Sequence, residues 1–439
     1  MSAPPPKSYN LAIIGGGIAG CLLSIGLTAR HIPHTLYESA SQFGEIGAGV
    51  GFDAHKVRTM ALIAPEVRDA FLRCSEPPSD ENPVWFTVRV GDMRRAGSDG
   101  VVSIGGELGR KVLAGEPVFN VPSRPGPRGG VHRAHLLDEL VKLIPAHVPK
   151  FQKKVVDVTE ANDRSGDVVV SFADGSSARH AAVLGCDGIK SRTREIVLGK
   201  EEAKPVFSGK YAYRGLIPMV KAVQLEGVGK ESKVGSQMYM GYHGHVLTFP
   251  IAKSSIFNVV AFSSKESWTN AEWVVANSRE DMLADFDTWC PTVKAIISEM
   301  QTLDIWALFH HPVTRTFYQS TPKICLVGDA AHATTPHHGS GAGMCVEDSY
   351  ILSELLAETD SAGDLEKAFR TYDEVRRPRT SELVRTSQEG GMLYDFEGPE
   401  GDDLEAIAHS MKERMGWIWD YDEGLAEDLE RARSILRQV

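Results

Sequence analysis

No CxxC pair occurs in the sequence; its six cysteines, Cys21, Cys74, Cys186, Cys290, Cys325 and Cys345, are scattered, several within apolar runs. Buried thiols of that kind behave as small hydrophobes, so the spacing argues against a disulfide framework and makes a reducing, cytoplasmic setting the simpler expectation. Long blocks of one charge are also missing: 47 Lys and Arg against 58 Asp and Glu give a net charge of -11 with no basic cluster. Broad nucleic-acid binding needs clustered cations against phosphate, and it is not expected here. Long hydrophobic runs are scarce. The one candidate, Leu11 to Ala29 ("LAIIGGGIAGCLLSIGLTA"), is broken by glycines and lacks a basic flank and an A-x-A cleavage site, so neither a membrane span nor a signal peptide is expected.

What is present is ordinary globular usage, 42% hydrophobic and 24% charged over 439 residues. That length exceeds one domain of roughly 100–200 residues and predicts two or three cores. The opening "MSAPPPKSYN" reads as a disordered lead. Next comes a βαβ unit, an apolar strand, a glycine turn, a helix ending near His31 and Pro33, and a second strand finishing at Glu38. "PVFNVPSRPGPRGG", Pro117 to Gly130, is dense in Pro and Gly and reads as a loop or crossover. A helix begins near His132. From about Tyr211 to Ser264 the pattern turns to antiparallel strands with a turn at Tyr242 to Gly244, after which "KICLVGDAA" restores the buried-strand-to-helix style. The fold expected is α/β: a Rossmann-like nucleotide-binding fold over 1–80, 120–200 and 312–375, an inserted antiparallel sheet over 81–119 and 201–311, and C-terminal helices over 376–439.

Three segments carry chemistry. Gly15-x-Gly17-x-x-Gly20 follows a strand, opens a helix, and is succeeded by Glu38 at the end of the next strand. In that context the glycines make the tight turn, the close approach of a pyrophosphate and the helix packing, and the acid takes a ribose hydroxyl, so dinucleotide binding is expected. "GCDGIKSRTR", Gly185 to Arg194, places Asp187 and Gly188 at a strand end, where Asp-Gly is also common in plain turns. "CLVGDAAHATTPHHGSGAGMCVED" delivers Asp329 from a strand, then sets Gly339, Gly341 and Gly343 before a helix, whose free N–H groups suit an anionic group.

These segments, in this order, resemble the flavin-dependent aromatic hydroxylases of the para-hydroxybenzoate hydroxylase type. "EIGAGVGF", "HRAHLLDEL", "YRGL" and "PHHGSGAGMCVED" are most similar to the salicylate hydroxylase branch, including fungal enzymes that hydroxylate or dearomatise polyketide phenols. The resemblance implies FAD held by Gly15, Gly17, Gly20, Glu38, Arg133, Asp187, Gly188 and Asp329, with Pro336 and the loop Gly339, Gly341, Gly343 beside the flavin ring. It implies NAD(P)H and O₂ as co-substrates, a flavin C(4a)-hydroperoxide as the oxygen donor, and a small phenolic aromatic as substrate. Where the family often has glutamine, Ser340 stands, which leaves the backbone cradle intact.

Arg214, in "YAYRGLIPM", is the expected anion clamp, because its planar fork suits a phenolate or a neighbouring carbonyl or carboxylate. Phe249 stands where some relatives have a tyrosine, which leaves Tyr239 or Tyr242 as a source of a phenol-orienting hydroxyl. His332, His337 and His338 lack metal-ligand spacing, so no metal is expected. His337 and His338 border the expected flavin wall and suit phenol deprotonation, whereas His332 is expected to bond a backbone carbonyl. "WIWDYD", Trp417 to Asp422, either closes the pocket or packs between helices. Oxidative dearomatisation or epoxidation by the same flavin chemistry and a non-redox flavin-binding escort remain the alternatives, and the oligomeric state is open.

Overall fold

The computed structural model describes residues 7–44, 49–75, 84–106, 109–163, 165–233 and 235–438. Two sheets organise it. The first, six-stranded, runs Tyr318–Ser320, Lys323–Leu326, Ala182–Gly185, Leu11–Ile14, His34–Tyr37 and Pro149–Lys150. All its pairs are parallel except the Tyr318–Ser320 edge. Its central strands Leu11–Ile14 and Ala182–Gly185 are wholly buried, as expected of parallel strands covered by helices on both faces. The helices Ile18–Ala29 and Gly341–Ala357 pack together, and both share one buried core with the sheet's central strands.

The second sheet has eight strands, in the order Val274–Val275, Ile305–His310, Val206–Pro218, Ile256–Ser264, Gly244–Ile251, Ser236–Gly241, Val84–Val90 and Pro117–Pro122. It is antiparallel but for the pairing of Ser236–Gly241 with Val84–Val90. The turn between Gly241 and Gly244 is where the sequence places it, with His243 at φ 63°. Helices Leu365–Tyr394, Leu404–Trp419 and Asp422–Gln438 complete the chain.

Two expectations are corrected. Pro117–Pro122 is not loop but the outermost strand of the second sheet, and Gly129–His132 is a strand paired with Gly49–Phe52. An edge strand tolerates Pro because its outward N–H has no ladder partner to lose. The N-terminal lead is in part tied down. Residues 1–6 lie outside those described, but Tyr9 is buried and its hydroxyl lies 2.5 Å from Thr359 Oγ1, while Lys7 Nζ donates to Ala357 O at 2.8 Å. Among the described residues no helix is long and apolar enough to cross a membrane.

Candidate active site

The glycine turn is built so that side chains cannot enter it. Gly15 has φ +104°, and a Cβ there would lie 2.4 Å from Cys186 O; one at Gly20 would lie 1.9 Å from Gly15 O. The strand end and the start of the helix therefore touch through bare backbone. Gly17 is the N-cap of helix Ile18–Ala29 with no side-chain cap, so no side chain competes with an anion for the first N–H groups. Gly16, a free position in the fingerprint, is constrained as well, since a Cβ would meet a Phe43 ring carbon at 2.7 Å. Glu38 follows the strand His34–Tyr37, and its carboxylate accepts from Gly16 N at 2.8 Å and Ala40 N at 2.7 Å.

The other two segments converge on the same place. Asp187 follows the strand Ala182–Gly185; its carboxylate accepts from Ser191 Oγ (2.6 Å), Arg192 N (2.8 Å), Thr193 N (3.0 Å) and Thr193 Oγ1 (2.6 Å). Asp187 thus fixes the turn into helix Arg192–Leu198, with Gly188 at φ +74° beside it. Asp329 opens the short helix Asp329–His332, and its carboxylate makes no hydrogen bond or ion pair among the described residues, facing an open cavity. Pro336–His338 is a single 3₁₀ turn ended by Gly339 in the left-handed region, φ +61°. Helix Gly341–Ala357 then starts without a side-chain cap, and Gly343 admits the Lys56 stem where a Cβ would lie 2.9 Å away. Arg133, the first residue of helix Arg133–Val141, borders the same space.

That space is a cavity of about 790 Å³ reaching from the glycine turn to the face of the second sheet. On the sheet side its walls are apolar, with Phe249, Leu247, Val260 and Phe262 facing it. Phe249 rests on Gly49 and Gly130, where any Cβ would strike its ring at 2.5 Å and 2.8 Å. Arg214 stands on this wall beside Val260. It sits over the Trp306 ring, 4.6 Å from its centroid, and makes no hydrogen bond or ion pair among the described residues. Burial first, then the nearby Arg133 charge, push its pKa down to about 10.

Neither tyrosine substitutes for a hydroxyl at Phe249. Tyr239 points to the opposite face of its strand from the cavity-lining Met238 and lies under Arg89, 5.7 Å away; Tyr242 donates to Asp402 Oδ2 at 2.6 Å.

The histidines divide. His332 does not bond a carbonyl; its Nε2 lies 2.6 Å from Asp348 Oδ2, a carboxylate one helix away that spacing in sequence does not reveal. His337 and His338 both line the cavity and are buried. Among the described residues neither ring nitrogen of His338 has a hydrogen-bond partner, nor has Nδ1 of His337. Burial pushes the His338 pKa down to about 4 and His337 well below its usual 6.5. Both rings lie against Gly390 and Gly391 of helix Leu365–Tyr394, where a Cβ would come within 2.9 Å of His338 Nε2 or 2.5 Å of His337 Cδ2. Among the described residues no three His, Cys, Asp or Glu side chains are grouped to hold a metal ion.

Sequence reasoning missed the charge cluster that anchors the flavin-side helix. Glu347 is fully buried and meets Lys56 Nζ, Arg376 Nη2 (2.7 Å), Arg379 Nε (2.8 Å) and His55 Nε2 (3.1 Å). Asp348 takes Arg376 Nε at 2.9 Å. The available signal was an acidic pair inside an otherwise apolar helix together with the basic run "RRPR". "WIWDYD" packs at the cavity rim: Trp419 lies 5.3 Å from Trp85, which lines the cavity, and Trp417 lies 5.2 Å from Arg379.

The comparisons with known proteins agree with this geometry. Residues 142–387 match the family model described as an FAD binding domain. An FAD-dependent monooxygenase of Aspergillus niger is 38% identical, with 94% of each chain covered. The chain belongs to the FAD-dependent monooxygenases. A salicylate hydroxylase of Pseudomonas putida is 36% identical over 97% of this chain and 95% of its own. A solved structure, a salicylate hydroxylase in a substrate complex, superposes with a TM-score of 0.81 at 30% identity, covering 97% of this chain and 98% of that one. The fold, the FAD cofactor and the use of NAD(P)H expected from sequence accordingly stand.

Proposed function

We propose that this monooxygenase hydroxylates a small phenolic acid or acyl phenol, bound as its anion in the cavity between the two sheets, and that Arg214 holds that anion. The observation that carries the reading is Arg214 itself. A guanidinium without a carboxylate partner on an apolar wall is short of compensating charge, and an anionic ligand would supply it. Relatives named for salicylate and 6-methylsalicylate support an ortho-oxygenated ring.

FAD fits the remaining surface. Gly15, Gly17 and Gly20 leave a backbone cradle no side chain can fill, Glu38 and Asp329 border it, and Arg133 adds a positive charge. Asp187 and Gly188 shape the neighbouring turn, and Pro336, Gly339, Gly341 and Gly343 present an uncapped helix start for negative charge on the cofactor. Bound FAD supplies reduction by NAD(P)H and activation of O₂.

The chain's own residues do the rest. Arg214 orients the anionic oxygen, Phe249, Val260 and Phe262 exclude water, and the rings of His337 and His338, held neutral and weakly basic by burial, can accept a hydrogen bond from the substrate. Protein carrying FAD, given salicylate, NAD(P)H and ¹⁸O₂, should form a product carrying one labelled oxygen. A flavoprotein whose NAD(P)H oxidation ignores every phenol offered would instead favour a binding role.

A further inference from the structure

Charge is unevenly placed around the cavity. In a chain of net charge -11, the described residues that line it include eight Lys or Arg but only three carboxylates. Those three, Glu38, Asp187 and Asp329, all belong to the segments that meet at the glycine-turn end. On the sheet side, Arg214, Lys233 at the sheet margin and Arg128 beside it are all cations.

Arg214 and Lys233 stand at opposite ends of one floor. Arg214 pairs with Val260, Val260 with Leu247 and Leu247 with Met238, a row across four adjacent strands whose members all line the cavity. Three strand spacings of ~4.8 Å make that row about 14 Å long. Beyond Met238 the lining opens to water: Met238 is buried, Ser236 half-buried and Lys233 exposed. Ser254, at the tip of the neighbouring hairpin, donates to Lys233 O at 2.8 Å and lines the same opening. Arg128 reaches it on a segment packed so closely that a Cβ on Gly130 would lie 3.0 Å from Pro250 O. Lys233 Nζ makes no hydrogen bond or ion pair among the described residues, and Glu231, two positions earlier, lies 3.4 Å from Arg89 Nη2.

We propose that the opening between Ser236, Ser254 and Arg128 is the substrate portal, and that Lys233 is an outer anion station. The substrate's negative group docks there before passing along Met238, Leu247 and Val260 to Arg214. This rests on the phenol reading above. FAD on the glycine turn would fill the other end of the cavity, which leaves this opening to the substrate. A net charge of -11 repels an anion at long range, and a cation at the mouth reverses that repulsion locally. The apolar row then offers the ring a surface and no intermediate hydrogen bond to hold it.

FAD-loaded protein is mixed rapidly with salicylate, and binding is read from the flavin absorbance. At ~0.01 M ionic strength, where the Debye length is about 30 Å, Lys233→Glu should lower kon about 10-fold; at ~1 M, where it is about 3 Å, the difference should vanish. Lys294→Glu, on the exposed side of helix Pro291–Glu299 over the other face of the sheet, changes net charge equally and should leave kon as it is. Uncharged 2-hydroxybenzyl alcohol should bind Lys233→Glu and wild type at the same rate. Ser236→Trp, which narrows the opening, should slow kon and koff together with Kd unchanged and FAD content held. Equal salicylate kon in Lys233→Glu and wild type at low ionic strength would overturn the portal, as would an equal loss in Lys294→Glu or a Ser236→Trp effect confined to koff. A wild type that neither binds salicylate nor oxidises NAD(P)H faster in its presence would instead remove the phenol reading, and the portal with it.

Discussion

Arg214 lies over Trp306 on a largely apolar wall, with no carboxylate bonded to it among the described residues. Arg214→Ala should cut salicylate-stimulated NAD(P)H oxidation by about 10-fold to 100-fold, the cost of one charge-assisted hydrogen bond, while bound FAD is retained. Unchanged steady-state kinetics would remove its role. Gly15 gives a second test at this scale. Its φ of +104° and the 2.4 Å approach of Cys186 O leave no room for a methyl group, so Gly15→Ala should purify with little FAD, read from the flavin absorbance per protein. Gly15 was legible in sequence because its task is local, whereas His332 was not, because Asp348 reaches it from the next helix.

Among elements, helix Leu365–Tyr394 positions the wall of the site. Helix propensity alone predicts that Gly391→Ala stabilises it by about 1 kcal/mol. The new Cβ would lie 2.5 Å from His337 Cδ2, however, and the ring has to move into the cavity. Turnover with salicylate should therefore fall while helical circular dichroism holds; a more stable, fully active variant would contradict the packing. Elements with a regular pattern were readable from sequence, including the βαβ unit, the strands after Tyr211 and the two last helices. Pro117–Pro122 was not, because dense Pro and Gly read as loop, whereas Pro is tolerated on a sheet edge, and being an edge is a property of the assembled sheet.

Across the whole molecule, buried charge ties the helices together. Glu347 compensates Lys56, Arg376 and Arg379 at once, so Glu347→Gln should cost about 3–5 kcal/mol, seen as a lowered Tm, because buried cations lose their partner. The network joins residues some 290 positions apart, beyond what motif spacing reveals. Acid sensitivity follows from buried histidines. His338 and His180 are pushed down to about 4 and His311 to about 3, from an ordinary 6.5. The unfolded chain binds these protons first, so their contribution to stability is complete above about pH 6.5 and is lost as pH falls from there toward 4. Tm should drop over that window, and His338→Gln should flatten the slope; a Tm independent of pH between 6.5 and 4 would contradict the burial of these rings.

In the proposed reaction an anionic phenol is oxidised beside FAD in the cavity that Arg214 borders. Its most direct test is a single turnover of the FAD-loaded protein with salicylate, NAD(P)H and ¹⁸O₂, read by mass spectrometry. One labelled oxygen in the aromatic product, and far less product from Arg214→Ala with FAD still bound, is the predicted result; unlabelled salicylate recovered intact, and likewise every other phenolic acid or acyl phenol offered, would contradict it.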